Sequence, residues 1–209
     1  MAEVTMICVD NSGFMCGTYG GKSLMKAQTN AIKLYFSEKL KARPDNTVGF
    51  TTMGALYLGC EPCRDPKEFW STFDCLEFGG SLQLLNCFVF ANYCLQSSSL
   101  PIKRLAIFAG GQLTTSFPRL EYFATLLRKV NITAVDVVNF GIQDHNRSGR
   151  KNTLLQAFVA AVNNGRYLYA PTGSHKSLAK NLSRSLIMPR VDGEGSASCF
   201  RGGGGHKTR

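Results

Sequence analysis

The chain has 209 residues, 44% of them hydrophobic, with 24 Lys+Arg against 14 Asp+Glu and a formal net charge of +10. That length fits one large domain or two small ones, and the hydrophobic share is ordinary for a globular protein. No apolar run approaches the roughly 18 residues of a membrane span, and the opening Met1-Ala2-Glu3-Val4-Thr5 lacks the basic segment and long apolar core of a secretory leader; neither a membrane partner nor export is expected.

Val4 to Val9 is a continuous apolar, β-branched run, which predicts a strand buried on both faces, ending at the turn cluster Asp10-Asn11-Ser12-Gly13. Lys22 to Lys41 has helical periodicity through Leu24, Ala27, Ala31 and Leu34 or Tyr35, with Ser23 as its cap. Thr47–Met53 and Ala55–Cys60 read as two strands separated by Gly54, a tight antiparallel hairpin. Asp65 caps a helix that starts at Pro66 and runs to about Leu76. Ser81, after Gly79-Gly80, is placed to cap another helix reaching Gln96. Arg104–Ala109 is a buried strand ending at Gly110-Gly111. A helix over Pro118–Lys129, a strand over Thr133–Phe140, a helix over Asn152–Asn163, a strand over Tyr167–Ala170 and a helix over Ser174–Leu186 follow. Strands alternating with helices predict an α/β fold: a mainly parallel central sheet, one antiparallel edge strand and helices on both faces. One domain over residues 1–190 is expected, with a Gly-rich, disordered tail over 191–209.

The chemistry-bearing motifs are few. Cys8, Cys75, Cys87 and Cys94 lie in apolar patterns, as buried thiols do. Cys60-Glu61-Pro62-Cys63 has the spacing of a metal or redox pair but no second pair or nearby His, and reads as a turn with two reduced thiols. His145, His175 and His206 have no nucleophile context. Gly21-Lys22-Ser23 resembles the end of a phosphate loop, but its first glycine should fall at Cys16 and the strand ends too far upstream. No cofactor and no enzymatic activity are expected.

Ligands of an open α/β sheet bind beyond the carboxyl ends of its strands, near the switch in strand order. Here those loops carry Asp10 to Met15, Gly79 to Ser81, and Gly110 to Gln112. A first strand ending in Asp-x-Ser resembles the von Willebrand factor A fold, whose metal-binding members continue Asp-x-Ser-x-Ser and add a Thr and an Asp from two further loops. Asp10 and Ser12 match; Phe14 stands at the second Ser, Ser81 is the stand-in for the Thr, and Ala109-Gly110-Gly111 brings no carboxylate. One carboxylate and two hydroxyls are too few ligands for magnesium, so Asp10, Ser12 and Ser81 form a degenerate site and no metal is expected.

The resemblance narrows to the proteasomal branch of that family, the ubiquitin-receptor subunits of the regulatory particle. Val9-Asp10-Asn11-Ser12, Asn46-Thr47-Val48-Gly49, Thr52-Met53, Arg104 to Gly110, Val135 to Gly141 and Gly193-Glu194-Gly195 carry it, in order. It implies a non-catalytic docking protein that bridges lid and base in the cytoplasm and nucleus. No acidic run with an Ala/Leu/Ser helix follows Gly195, so ubiquitylated substrates are expected to be met only indirectly or weakly. The resemblance makes Asp10, Asn11, Ser12, Phe14, Met15, Gly79, Gly80, Ser81, Gly110, Gly111 and Gln112 the expected partner-binding residues, with Phe14 and Met15 as apolar anchors.

Residues 141–209 hold 11 Lys/Arg against 3 Asp/Glu. Lys176, Lys180 and Arg184 share one face of the last predicted helix, and Arg147, Arg150 and Lys151 cluster at the start of the preceding one. This basic third is a possible contact face. Its alternative use is in a DNA-repair or transcription complex, although no aromatic residues interleave with the charges and nucleic acid is not the expected partner. A metal-dependent adhesion module is the other alternative.

Overall fold

A computed structural model of the chain describes residues 1–19, 22–141, 148–162, 164–171 and 177–188. The expected tail over 191–209 and all three histidines lie outside the described residues.

Strand β1 (Glu3–Val9) leads through a short 3-10 helix, Gly13–Cys16, into a small antiparallel pair, β2 (Thr18–Tyr19) and β3 (Lys22–Ser23). Helix α1 (Leu24–Ala42) follows, its first turn capped by the Ser23 hydroxyl, which accepts from the Lys26 N–H at 3.2 Å. Next come β4 (Thr47–Thr52), β5 (Gly59–Cys63), α2 (Pro66–Phe73), a 3-10 turn over Leu84–Cys87 and α3 (Phe88–Ser97). The remaining elements are β6 (Ile102–Ala109), α4 (Phe117–Lys129), β7 (Ala134–Gly141), α5 (Ser148–Ala161), β8 (Gly165–Pro171) and α6 (Leu178–Ser183). The six-stranded sheet has the order β5-β4-β1-β6-β7-β8, with only β5 antiparallel to its neighbour.

This is the α/β architecture expected from the sequence. Side chains of alternate strand residues point to opposite faces. Met6, Cys8, Leu105, Ile107, Val135 and Val137 therefore join one core with α3, α4 and α5. Ile7, Val9, Ala106, Phe108, Val138 and Phe140 join the other with α1, α2 and α6. On that second side Phe36, Phe50, Phe69, Trp70 and Phe73 form an aromatic cluster with centroids 4.7–6.0 Å apart.

Several boundaries differ from the sequence reading. The antiparallel strand is Gly59–Cys63, not Ala55–Cys60 after a tight Gly54 turn, and Met53 to Leu58 form a broad loop. Ser81 caps no helix, because α3 begins only at Phe88, behind the 3-10 turn. Helix α2 stops at Phe73, where Asp74 and Cys75 fold back on Trp70 and Thr72. The described last helix is Leu178–Ser183, capped by Ser177. Cys75 is exposed, whereas Cys8, Cys87 and Cys94 are buried as expected.

At the amino ends of the strands lies a buried ionic cluster. Arg104 donates to Glu3 Oε2 at 2.9 Å and to Asp136 Oδ2 at 3.0 Å; Lys39 pairs with Glu3, and Arg166 faces Asp136 Oδ1 at 3.0 Å. Burial alone would raise the Glu3 carboxyl, but Lys39 and Arg104 outweigh it and hold the group below its ordinary value. Burial, only partly offset by Glu3, lowers Lys39.

Candidate functional site

The chain passes from β1 to β4 on one side and returns through β6 on the other, so the strand order reverses between β1 and β6. A crevice opens at such a switch point, outside the carboxyl ends of the strands. Asp10 follows β1 and Gly110-Gly111 follow β6, so the two predicted loops meet there.

Asp10 is fully buried, and its carboxylate accepts from backbone N–H groups. Its Oδ1 accepts from the Ser12 N–H at 2.9 Å, and its Oδ2 accepts from the N–H groups of Gly110 and Gly111 at 2.9 and 2.5 Å. A carboxylate holding N–H groups from two loops is a strong, charge-assisted clamp. Gln28 on α1 braces the same residue, accepting from the Asp10 N–H at 3.2 Å and donating to its carbonyl at 2.9 Å.

Asn11 is the second hub, also fully buried. Its Nδ2 donates to the carbonyls of Leu56 and Glu77 at 2.6 and 2.9 Å, and its Oδ1 accepts from the Gly54 N–H at 2.6 Å. Its backbone carbonyl accepts from Gly79, while Gly80 accepts from Gly13. The loop Gly79–Ser81 is thereby sewn to the loop after β1. Glycine is required at two contacts here: a Cβ on Gly111 would sit 2.7 Å from Ser12 Oγ, and one on Gly110 would sit 2.6 Å from Met15 Sδ.

The predicted partner-binding residues divide in two. Asp10, Asn11, Ser12, Gly110 and Gly111 are buried and form the frame. Phe14, Gly79 and Ser81 are half-buried, and Gly80 and Gln112 are exposed; these form the accessible rim. Met15 is not an anchor, since it is fully buried in the core beside α1. The Ser81 hydroxyl accepts from Gln83 Nε2 at 3.4 Å, so its hydrogen bond runs along its own loop and not to Asp10 or Ser12.

Among the described residues, the basic side chains of the last third lie on both sides of the sheet. Lys176 and Arg147 lie outside the described residues. Lys180 and Arg184 are exposed at α6, which packs with α1 on one side of the sheet, whereas Arg150 is on α5, on the opposite side. Lys151, also on α5, turns its ammonium inward. The Nζ donates to the carbonyls of Ala109 at 2.9 Å and Phe140 at 3.1 Å, at the ends of β6 and β7. Burial pushes the Lys151 amine down to about 8 against the pull of the Asp10 carboxylate.

Gln28 and Lys151 escaped the sequence reading. Gln28 left a signal, a polar residue four positions after Leu24 on the buried stripe of α1. Lys151 left none, because its position beside Arg150 reads as part of a charged helix start. The thiols of Cys60 and Cys63 are not activated: burial and the proximity of Cys60 push Cys63 up to about 12.

The chain has close counterparts among known proteins. The 26S proteasome non-ATPase regulatory subunit 4 homolog of Arabidopsis thaliana is 31% identical over 180 residues, 83% of this chain and 46% of that protein. The chain belongs to this family of proteasome regulatory subunits. The 26S proteasome regulatory subunit RPN10 of Saccharomyces cerevisiae is 28% identical over 216 residues, 97% of this chain and 76% of that one. The chain spans about half the length of its plant relatives. The crystal structure of the SpRpn10 VWA domain shares the fold, with a TM-score of 0.76 and 24% identity over 89% of this chain and 96% of that one. No family model matches the chain.

The A-type fold of this family raises the question of a metal at the switch point. A hard divalent ion needs about six oxygen ligands with free lone pairs. Here both Asp10 oxygens accept N–H groups, Phe14 and Gly110-Gly111 bring no side-chain oxygen, and the Ser81 hydroxyl is bonded to Gln83. Among the described residues, Ser12 Oγ is a buried oxygen beside Asp10 without a hydrogen-bond partner, and a single hydroxyl is too little to hold a cation. The residues present do not fit a metal.

Proposed function

We propose that the chain is a non-catalytic docking subunit of the proteasome regulatory particle, sitting between lid and base and supporting ubiquitin-dependent degradation in cytoplasm and nucleus. Its docking face is the rim of the switch-point crevice: Phe14, Gly79 to Ser81 and Gln112. The observation that carries this reading is the Asp10 clamp, which spends a buried carboxylate on fixing loop backbone and leaves a half-buried aromatic ring at the mouth. Aromatic side chains, Phe among them, are enriched at protein interfaces relative to the rest of the surface. Family membership supports the same assignment. The test is co-purification: tagged Asp10→Ala recovered from its own cells should bring down fewer lid and base subunits than the parent chain. Equal recovery would remove the loop face from the account.

A further inference from the structure

We propose that the Lys151 ammonium is the resident cation of the switch-point crevice, so that at neutral pH the crevice is occupied by a positive charge the chain carries itself and takes up no divalent ion. The crevice has two kinds of acceptor that call for positive charge. One is the fully buried Asp10 carboxylate. The other is the pair of carbonyls, Ala109 and Phe140, that end two adjacent parallel strands. Lys151 answers both: its Nζ bonds the two carbonyls directly, and the Asp10 carboxylate favours the ammonium through the field it sets up across the crevice.

The glycines beside it set the geometry. Gly110 and Gly111, whose N–H groups hold Asp10, directly follow Ala109, so the same turn presents a carbonyl to Lys151 and two N–H groups to Asp10. Gly141, next to Phe140, has φ +105° and lies so close to Gly110 that a Cβ would overlap its carbonyl oxygen. The ends of β6 and β7 are therefore pressed together, and Lys151 bridges them. A divalent ion entering here would meet an ammonium on the carbonyls and N–H groups on the carboxylate, both of the wrong sign for it.

The inference concerns only the frame of the crevice and stands whether or not the rim docks to the proteasome. Two measurements on the purified full chain test it. In the first, electron paramagnetic resonance of Mn2+ titrated with the chain should show the free-ion signal unattenuated, and the melting temperature should be the same in EDTA as in millimolar Mg2+. Attenuation at millimolar Mn2+, or a melting temperature raised by Mg2+, would overturn the claim. The second is a double-mutant cycle with Asp10→Asn and Lys151→Met. The effect of Lys151→Met on the folding equilibrium should differ about tenfold between the parent and the Asp10→Asn background, as expected of groups that share one electrostatic network. Additive effects would mean that Lys151 acts on something other than Asp10. If Asp10→Asn fails to fold, the Mn2+ and Mg2+ results on the parent chain still decide whether the crevice takes a metal.

Discussion

Replacing Asn11 by Ala should unpick the loops while leaving every strand intact. The side-chain amide makes three hydrogen bonds, two to the carbonyls of Leu56 and Glu77 and one from the Gly54 N–H. The Gly54 bond is buried, so its loss strands a donor without water, at about 1–3 kcal/mol; the other two are part-buried and contribute about 1 kcal/mol each. The sum is about 3–5 kcal/mol, which in a domain of this size lowers the melting temperature by about 6–20 °C. Urea unfolding followed by circular dichroism measures the first quantity and scanning calorimetry the second. Asn11→Asp is the sharper comparison. It keeps the acceptor for Gly54 but sets a carboxylate oxygen against two carbonyls, and should be no more stable than Asn11→Ala. A loss below about 1 kcal/mol for Asn11→Ala would refute the reasoning, because it would mean that the Gly54–Leu56 segment and Glu77 hold their places without the amide.

Other perturbations separate the remaining parts of the account. Gln28→Leu removes both backbone braces on Asp10 and should cost about 2 kcal/mol in chemical unfolding; a neutral result would show that Gln28 is passive. Glu3→Gln leaves Lys39 and Arg104 facing less negative charge and should cost about 3 kcal/mol at neutral pH. Because the folded Glu3 carboxyl is lowered, its contribution is present above the ordinary carboxylate value and is lost as pH falls through the lowered one, so parent and variant should converge in strong acid. Lys151 runs the other way. Its amine sits at about 8 against an ordinary 10.5, so between those values the unfolded chain binds a proton that the folded chain does not. Stability should therefore rise with pH across that window in the parent relative to Lys151→Met, and parallel curves would contradict the assignment. Gly49→Ala should be poorly tolerated, since its Cβ would lie 2.6 Å from the Cys60 carbonyl and clash with the edge strand.

The architecture was readable because periodicity reports it directly. The mostly apolar runs Val4–Val9, Arg104–Ala109 and Thr133–Phe140 belong to the sheet's parallel interior, where both faces are covered and strict alternation is lost. Asp65 and Ser23 were readable as caps because capping is local. The edge strand was misplaced because Ala55 to Leu58 has strand composition, yet its backbone is recruited by Thr52 and Asn11 instead of a ladder. Ser81 looked like a cap for the same reason that Ser23 is one, but the 3-10 turn that follows postpones the helix.

The site was half legible. The position of Asp10, Ser12 and the two glycine loops followed from strand ends and the switch point. The division into frame and rim did not, because it depends on contacts between residues far apart in sequence, such as Asn11 with Glu77 and Asp10 with Gly111. Met15 reads as an exposed loop residue until the 3-10 helix turns it inward, and Lys151 reads as surface charge until α5 is laid against the ends of β6 and β7.

The docking face itself is tested most directly by placing a photo-cross-linking amino acid at Phe14, or separately at Gln112, in the chain expressed in its own cells, and identifying the adducts after irradiation of the intact regulatory particle. The account predicts adducts to lid and base subunits from both positions and none from Lys180 on α6. Adducts from Lys180 but not from Phe14 or Gln112, with the chain still in the particle, would contradict it.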